Sequence, residues 1–392
     1  MKKTQGMQVT QGKHQIPLLE SDKPLFGTGV ERTLPYLIGN DFVFKAKKNG
    51  KVSKIDPKTE LMILDYDDGT NDVVDLSRAS VPNSNGGFLI TNQKTTNLKV
   101  GSKFKEGEVV AKNENFFKGE GDDLTYVTGK LSKVCIAGGS YTFEDSCLIT
   151  EKLSKDMSAY ITMSKEIYLG PNANVQSIVK KGDHIKTGDP LLVYENSYDD
   201  KEANMLLDRL GTEYKQAIQE MGTNVVKSKY TGEVVEVKIY FNKPFEELSP
   251  SLQKLIKSYN NEVIQKEKFI AANTKKDQNF HHLQFTPTKQ VESALIKGKE
   301  VDGVLIEILV RHLDNMYIGD KLTASVALKS IIAEVVMDDE TPYSETHKDE
   351  EISVIISPLS VVNRMTVDLF LQLYLNKVLI ELKNKTVDIY KS

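Results

Sequence analysis

The sequence predicts a β-rich α+β fold. Three observations carry that expectation. Short apolar runs such as Leu61-Met62-Ile63-Leu64 and Gly87-Phe88-Leu89-Ile90 alternate with Asp/Gly/Asn turns from about Asp41 to Gly170. A second apolar run, Val304-Leu305-Ile306-Glu307-Ile308-Leu309-Val310, lies far downstream. Between and after these runs, a few stretches change to helical spacing.

The helical stretches come in chain order. Residues 201–222 place Met205, Leu206, Leu210, Tyr214, Ala217, Ile218 and Met221 near a 3.6-residue period. About Leu248 to Lys268 does the same with Leu252, Leu255, Ile256, Tyr259 and Val263. A polar loop from Asn273 to Lys289 follows, and Val367 to Leu382 is a last helix candidate. With 392 residues, the chain is long enough for two or three domains.

Composition excludes several classes. The chain is 39% hydrophobic and 27% charged, a globular profile. No apolar stretch approaches the roughly 20 residues of a membrane span. The basic start Met1-Lys2-Lys3 has no apolar stretch behind it and does not read as a signal peptide. Two cysteines, Cys135 and Cys147, rule out a disulfide framework or a Cys-rich zinc site and read as free thiols in a reducing cytoplasm. A net charge of −4 and a pI near 6.0 argue against a free-standing nucleic-acid binder. Contact with nucleic acid would be local, or made beside more basic partner chains.

One internal repeat stands out. Gly101 and Gly107 are six residues apart, as are Gly182 and Gly188, and each pair frames a short strand. Glycines there suit turns of positive φ. Tyr230-Thr231-Gly232-Glu233-Val234-Val235-Glu236-Val237 reads as the companion strand of such a sandwich. The pattern resembles the barrel-sandwich hybrid of biotinyl and lipoyl carrier domains. No Met-Lys-Met attachment hairpin lies between the halves, so a carrier is only an alternative reading.

The candidate chemistry is polar and dispersed. Asp65-Tyr66-Asp67-Asp68-Gly69 reads as a hairpin tip before Val73-Val74, in preference to a cation loop. His281-His282 reads as a surface loop. Glu144-Asp145 is either a solvated acid pair or two oxygens aimed at a metal or its water shell. Lys321 and Lys329, eight residues apart, fall on one face if the chain between them is extended. From spacing alone, snorkelling lysines at strand ends are the plainer reading.

Five blocks in order alter that balance. Ser21 to Arg32, with Lys23-Pro24-Leu25-Phe26-Gly27-Thr28-Gly29-Val30-Glu31, resembles the Lys-Pro-Leu-x-Gly-Thr-Gly-x-Glu segment of bacterial RNA polymerase β subunits. Ile90-Thr91-Asn92-Gln93 resembles that family's next block, and Tyr141-Thr142-Phe143-Glu144-Asp145 its Tyr-Asn-Phe-Glu-Asp segment. Leu305 to Lys329 resembles the strand and Gly-Asp-Lys segment that carries two active-site lysines. Ser357-Pro358-Leu359-Ser360-Val361-Val362-Asn363-Arg364-Met365 resembles the Asn-Pro-Leu-Gly-Val-Pro-Ser-Arg-Met block.

The resemblance implies a double-psi β-barrel core with an inserted flap that contains the barrel-sandwich hybrid. Its implied segments are 1–40 (fork side), 41–165 (β-rich, leading into the barrel), 166–298 (flap, tip helix near 201–222), 299–366 (rest of barrel and active-site segment) and 367–392 (tail). Lys321 and Lys329 would contact the RNA 3′ end and incoming nucleotide. Glu144 and Asp145 would sit near a nucleotide-borne Mg²⁺ held mainly by a β′-type chain, because no Asp-Phe-Asp-Gly-Asp element occurs here. Arg364 would reach the triphosphate, Gln93 would lie near the RNA end, and Arg78 would substitute for a further triphosphate arginine. The apolar face of Met205, Leu206 and Leu210 would receive an initiation factor or pack on its own flap.

The implied assembly has an N-terminal half β-type chain, β′-type subunits, a specificity factor, DNA template, RNA and NTPs, with no membrane partner. Starting mid-subunit, the chain resembles half of a split β subunit of a large-genome bacteriophage, acting in the bacterial cytoplasm or carried in the virion. It departs from the family between the lysines, where Gly-Arg-His-Gly-Asn is replaced by Ala324-Ser325-Val326-Ala327-Leu328, and after the second lysine, where Ser330 replaces glycine. Those departures keep open a non-catalytic assembly subunit.

Overall fold

The computed structural model describes residues 14–391 except 26, 84–86, 196–222, 276–287, 291–294, 297–298, 301–302, 325–327, 346–350 and 364–366. The expected tip helix with Met205, Leu206 and Leu210, the His281-His282 pair and Arg364 lie outside the described residues.

The architecture is β-rich with five described α-helices: α1 (Val30–Leu37), α2 (Glu151–Asp156), α3 (Pro250–Asn273), α4 (Pro358–Val362) and α5 (Val367–Lys391). Its backbone is a sheet ordered His184–Ile185, Gly232–Phe241, Val304–Asp314, Ala159–Leu169, Leu89–Asn92, Ala79–Pro82, with Thr288–Gln290 added beside Gly232–Phe241. The Ala159–Leu169 and Val304–Asp314 strands pair antiparallel over their full length, from Ala159↔Asp314 to Leu169↔Val304. Every residue from Val304 to Val310 is buried. That explains an apolar run without alternation: both faces of the strand are covered. Glu307 survives in it because its carboxylate accepts from the Ser164 hydroxyl at 2.7 Å.

Helix α3 covers this sheet. Ser249 caps it by accepting from the Leu252 N–H at 3.3 Å, and Pro250 occupies its first turn. Leu252 and Ile256 join the core formed by Ile239, Ile306 and Ile308. The helix runs five residues beyond the predicted end at Lys268. The added turn places Phe269 and Ile270 against Leu61, Ile63 and Val73 of a separate sheet, so tertiary packing prolongs it.

That second sheet is ordered Asn71–Asp75, Leu61–Tyr66, Gly50–Asp56, Lys103–Phe104. The Asp65–Gly69 segment is the hairpin tip that the sequence predicts: Gly69 has φ +78° and its N–H donates to the Tyr66 carbonyl at 2.9 Å.

The repeat is more extensive than the sequence reading allows. The two glycine pairs are not halves of one sandwich; each belongs to its own module. Ala46 and Glu108 exchange backbone bonds with the Gly107 turn (Ala46 N–H to Glu108 O 2.8 Å, Gly107 N–H to Ala46 O 2.8 Å). Ser228 and Asp189 do the same with the Gly188 turn, at 2.9 Å and 2.9 Å. Val52 pairs with the Gly101 turn (2.9 and 2.8 Å) as Val234 pairs with the Gly182 turn (2.9 and 2.7 Å). Residues 46–52 are therefore the counterpart of 228–234. The order is permuted: 46–52 precedes its glycine turns, whereas 228–234 follows its own. Local sequence comparison misses this because the order is permuted and the short companion segments match at only three positions, Lys47/Lys229, Gly50/Gly232 and Val52/Val234.

Those two glycines are required by space. A Cβ on Gly50 would stand 2.2 Å from the Asp65 carbonyl oxygen, and one on Gly232 would stand 2.1 Å from that of Arg311. Gly50→Ala and Gly232→Ala should each lower unfolding free energy by about 1–3 kcal/mol. Gly138→Ala, where a Cβ meets nothing within 4 Å, should change it little; chemical denaturation of the three variants checks this.

Candidate functional site

Lys321 and Lys329 lie on a mixed five-stranded sheet ordered Val134–Ile136, Val354–Ile356, Ser146–Thr150, Lys329–Val336, Lys321–Thr323. Val134–Ile136 runs parallel to Val354–Ile356, and Ser146–Thr150 parallel to Lys329–Val336. The sheet covers a core of Cys147, Ile149, Leu328, Ile332 and Ile356.

The chain between the lysines is not a single extended strand, as one-face spacing assumed. It turns back: Lys321 pairs with Ile331, Leu322 with Ser330 and Thr323 with Lys329, while the Ala324 N–H donates to the Leu328 carbonyl at 2.9 Å. The lysines share a face all the same. Directly opposed residues of an antiparallel pair point the same way, so Lys321, Thr323, Lys329 and Ile331 form one surface. Leu322 (6% exposed) and Ser330 (0%) fill the opposite, inward face.

The turn before Lys321 fixes its approach. Gly319 has φ +92°, and the Asp320 carboxylate accepts from the Tyr317 N–H at 2.8 Å. Asp320 is thus a turn former. Its backbone then joins the sheet, with the Ile332 N–H donating to its carbonyl at 2.9 Å.

Glu144 and Asp145 arrive at the same edge. The Ile331 N–H donates to the Asp145 carbonyl at 2.7 Å, and Ser146 pairs with Ile331. Ile331 therefore has Lys321 on one flank and Asp145 on the other. The Phe143–Ser146 turn is tight. Ser146 N–H donates to the Phe143 carbonyl at 3.0 Å, and the Ser146 hydroxyl lies 2.6 Å from the Phe143 N–H. Glu144 adopts φ +47°, a left-handed conformation costing a non-glycine residue about 1 kcal/mol. Phe143 and Glu144 are exposed.

Arg78 and Gln93 meet elsewhere. Arg78 Nε lies 3.5 Å from Gln93 Oε1, and Gln93 Nε2 donates to the Leu76 carbonyl at 3.4 Å. The Arg78 guanidinium is held by Glu233 at 3.2 Å, and Arg311 takes the other Glu233 oxygen at 2.5 Å. Arg311 also lies over the Tyr160 ring, 4.1 Å from its centroid. The sequence reading missed Glu233 and Arg311. A charge ending an apolar strand, Arg311 after Val310, was the available signal. Burial works to raise the Glu233 pKa, but the Arg311 hydrogen bond and the charge of Arg78 together hold it below the ordinary glutamate value.

Among the described residues no group of three His, Cys, Asp or Glu side chains is placed to hold a metal. No described helix is long and apolar enough to cross a membrane.

Residues 120–389, more than half of the chain, match the family described as RNA polymerase Rpb2, domain 6. The chain belongs to that family. Glu144, Asp145, Lys321, Lys329 and Arg364 fall within the match; Arg78 and Gln93 fall outside it. Family membership agrees with the curated relatives. The DNA-directed RNA polymerase subunit beta of Mesomycoplasma hyopneumoniae is 24% identical over 379 residues, 96% of this chain and 28% of the relative. That of Caldicellulosiruptor saccharolyticus is 26% identical over 283 residues, 65% of this chain and 22% of the relative. That of Geobacter metallireducens reaches 34% over 150 residues, 37% and 10%. The chain thus spans less than a third of the length of these relatives.

Two stability tests follow from the geometry. The Ser330 hydroxyl is buried without a hydrogen-bond partner; Ser330→Ala should raise stability by about 1 kcal/mol by removing an unpaired polar group. Glu233→Gln should cost roughly 2 kcal/mol at pH 7, less than the ~3–5 kcal/mol of fully buried pairs, because Glu233 is 24% exposed. Its folded-state pKa is depressed, so its contribution is complete above the unfolded value and lost as pH falls through the folded one. Denaturant melts should show the gap between Glu233→Gln and the parent closing below about pH 4.

Proposed function

We propose that this chain is the active-centre portion of the β-type subunit of a DNA-dependent RNA polymerase, positioning nucleotide and RNA 3′ end for nucleotidyl transfer. One observation carries the reading: two ammonium groups, Lys321 and Lys329, share a face whose central residue, Ile331, is backbone-bonded to Asp145 beside Glu144. The RNA 3′ hydroxyl attacks the α-phosphate in line, pyrophosphate leaves, and the protein's work is positioning and charge compensation. Lys321 and Lys329 supply the positive charge. Glu144 and Asp145 offer hard oxygen donors suited to the water shell of Mg²⁺, and a partner β′-type chain completes the ligand set. When bound, that ion lowers the charge barrier of phosphoryl transfer.

Arg364 is proposed to reach the triphosphate, where a guanidinium binds oxygens bidentately, and Gln93 to face the RNA end. Arg78 is committed to Glu233, which favours a role in tying the Ala79–Pro82 end of the main sheet to its Gly232–Phe241 strand over contact with substrate. The five-stranded mixed sheet is proposed as part of a double-psi barrel, with the module of the Gly182 and Gly188 turns and residues 228–234 as the base of an inserted flap and Met205, Leu206 and Leu210 as its factor-binding tip. The proposal extends to a split subunit of a large-genome bacteriophage that works in the host cytoplasm or the virion. Its partners are an N-terminal half β-type chain, β′-type chains, a specificity factor, template and NTPs.

A second reading, an assembly subunit without catalytic contacts, is favoured by the replaced Gly-Arg-His-Gly-Asn stretch at Ala324–Leu328. One experiment separates the two. In the enzyme reconstituted with its partner chains, Lys321→Ala and Lys329→Ala should each slow elongation by about 10²–10³-fold. That magnitude corresponds to ~3–4 kcal/mol, within the ~4 kcal/mol of a lysine 4 Å from a phosphate charge at an effective dielectric near 20. Elongation at the parent rate with both lysines removed would leave the assembly reading standing.

A further inference from the structure

The two lysines of the candidate site have different neighbours, and the backbone bonds of their hairpin decide which. The Ile332 N–H donates to the Asp320 carbonyl and the Ala324 N–H to the Leu328 carbonyl, both at 2.9 Å. Bonds at those positions make Lys321↔Ile331 and Thr323↔Lys329 the non-hydrogen-bonded pairs of the ladder, with Leu322↔Ser330 as the bonded pair between them. Opposed Cα atoms in a non-hydrogen-bonded pair stand about 4.5 Å apart, and their side chains lie closer than in a bonded pair. Lys321 therefore stands beside an isoleucine, and Lys329 beside a hydroxyl.

That hydroxyl is free. Thr323 is exposed, and among the described residues no group bonds its side chain. The other hydroxyls around the site are committed or turned inward. Ser146 donates to the Tyr141 carbonyl at 2.9 Å, Ser154 donates to the Met316 carbonyl at 2.6 Å, and Ser330 is buried on the opposite face. The other described side chains between the lysines, Leu322, Ala324 and Leu328, are apolar. Lys321–Thr323 is also the outermost strand of its sheet, so no described strand lies on the far side of Thr323. A ligand can reach the hydroxyl from the edge as well as from above.

We propose that the Thr323 hydroxyl donates a hydrogen bond to a phosphate oxygen held by Lys329, which makes Thr323 a further substrate-binding residue. The inference rests on the nucleotidyl-transfer reading of the same site. The two groups do different work. An ammonium on a flexible four-carbon stem supplies charge with little direction. A β-branched side chain on a strand is restricted at χ1, so its oxygen is placed by the backbone. The pair can thus orient a phosphate as well as neutralise it. At Lys321, the opposing Ile331 offers no donor. The ligand chemistry, a phosphate oxygen, is common to the incoming nucleotide and the RNA end.

The test uses the enzyme reconstituted with its partner chains and follows addition of one nucleotide to an RNA primer at varied NTP concentration. Thr323→Val keeps the shape of the side chain and removes the donor. It should lower kcat/KM about tenfold, the size of one hydrogen bond to a charged group. Thr323→Ser restores the donor and should recover kcat/KM to within about threefold of the parent. In a Lys329→Ala background the same Thr323→Val change should cost about threefold or less, because groups that share one anion are coupled. A raised KM for NTP at unchanged kcat places the phosphate on the incoming nucleotide. A lowered kcat at unchanged KM places it on the RNA end. Gel filtration checks that each variant assembles, and Thr323→Ala takes the place of valine if assembly suffers.

Thr323→Val at the parent rate overturns the proposal. So does Thr323→Ser no faster than Thr323→Val, which leaves a role in packing only, and so does an undiminished loss in the Lys329→Ala background. The lysine variants separate this inference from the reading beneath it. Slow lysine variants beside a parent-rate Thr323→Val defeat the threonine contact alone, whereas parent-rate elongation with both lysines removed defeats both.

Discussion

The antiparallel ladder between Ala159–Leu169 and Val304–Asp314 is the constraint on which the candidate site depends. At its Ala159↔Asp314 end, both chains pass into the five-stranded sheet. Upstream of Ala159 lie Ser146–Thr150 and α2; downstream of Asp314 lie the Gly319 turn and Lys321. The join is stitched by Ser154, whose hydroxyl donates to the Met316 carbonyl at 2.6 Å while its own carbonyl accepts from the Met316 N–H at 3.2 Å. Once the ladder is in register, the acid pair and the first lysine have little freedom to separate. Both faces of Val304–Val310 are covered, so register is held by side-chain fit and by polar matches such as the Ser164–Glu307 hydrogen bond, which a one-residue slip would break.

A single turn chemistry recurs around this frame. Lys99–Ser102, Lys105–Glu108, Lys180–Asp183, Lys186–Asp189 and Tyr317–Asp320 each place glycine at positive φ and return the following polar side chain to the first N–H. The chemistry is local, since glycine permits the conformation and the next side chain satisfies the freed donor. The same device shapes sandwich ends and the approach to Lys321. It also explains why Asp320, adjacent to a candidate catalytic lysine, makes a structural contact.

What could be read from the sequence follows from that locality. The Asp65–Gly69 hairpin, the glycine turns and the existence of α3 and α5 were legible because each is set within a few residues. The grouping of Glu144-Asp145 with Lys321 was an expectation from family resemblance, since the two are brought together by a ladder that no local pattern encodes. The path between the lysines was misread: eight-residue spacing suits one extended strand, but buried Leu328 and the Ala324–Leu328 bond fold it into a hairpin. The permuted order of the modules and the Arg78–Glu233–Arg311 cluster were illegible because they arise from strands distant in the chain.

The separation of the ladder's strands also bears on synthesis. Their paired residues are 135 to 155 positions apart. A chain emerging from the ribosome presents Ala159–Leu169 long before Val304–Asp314 exists. Leu89–Asn92 protects only two of its residues, Ile161 and Thr162. Through that interval an apolar strand edge waits open, the kind of edge that recruits wrong partners. Long-range pairing of this kind is slow, so the feature that most firmly orders the finished site also leaves the nascent chain exposed while at least 135 further residues are made.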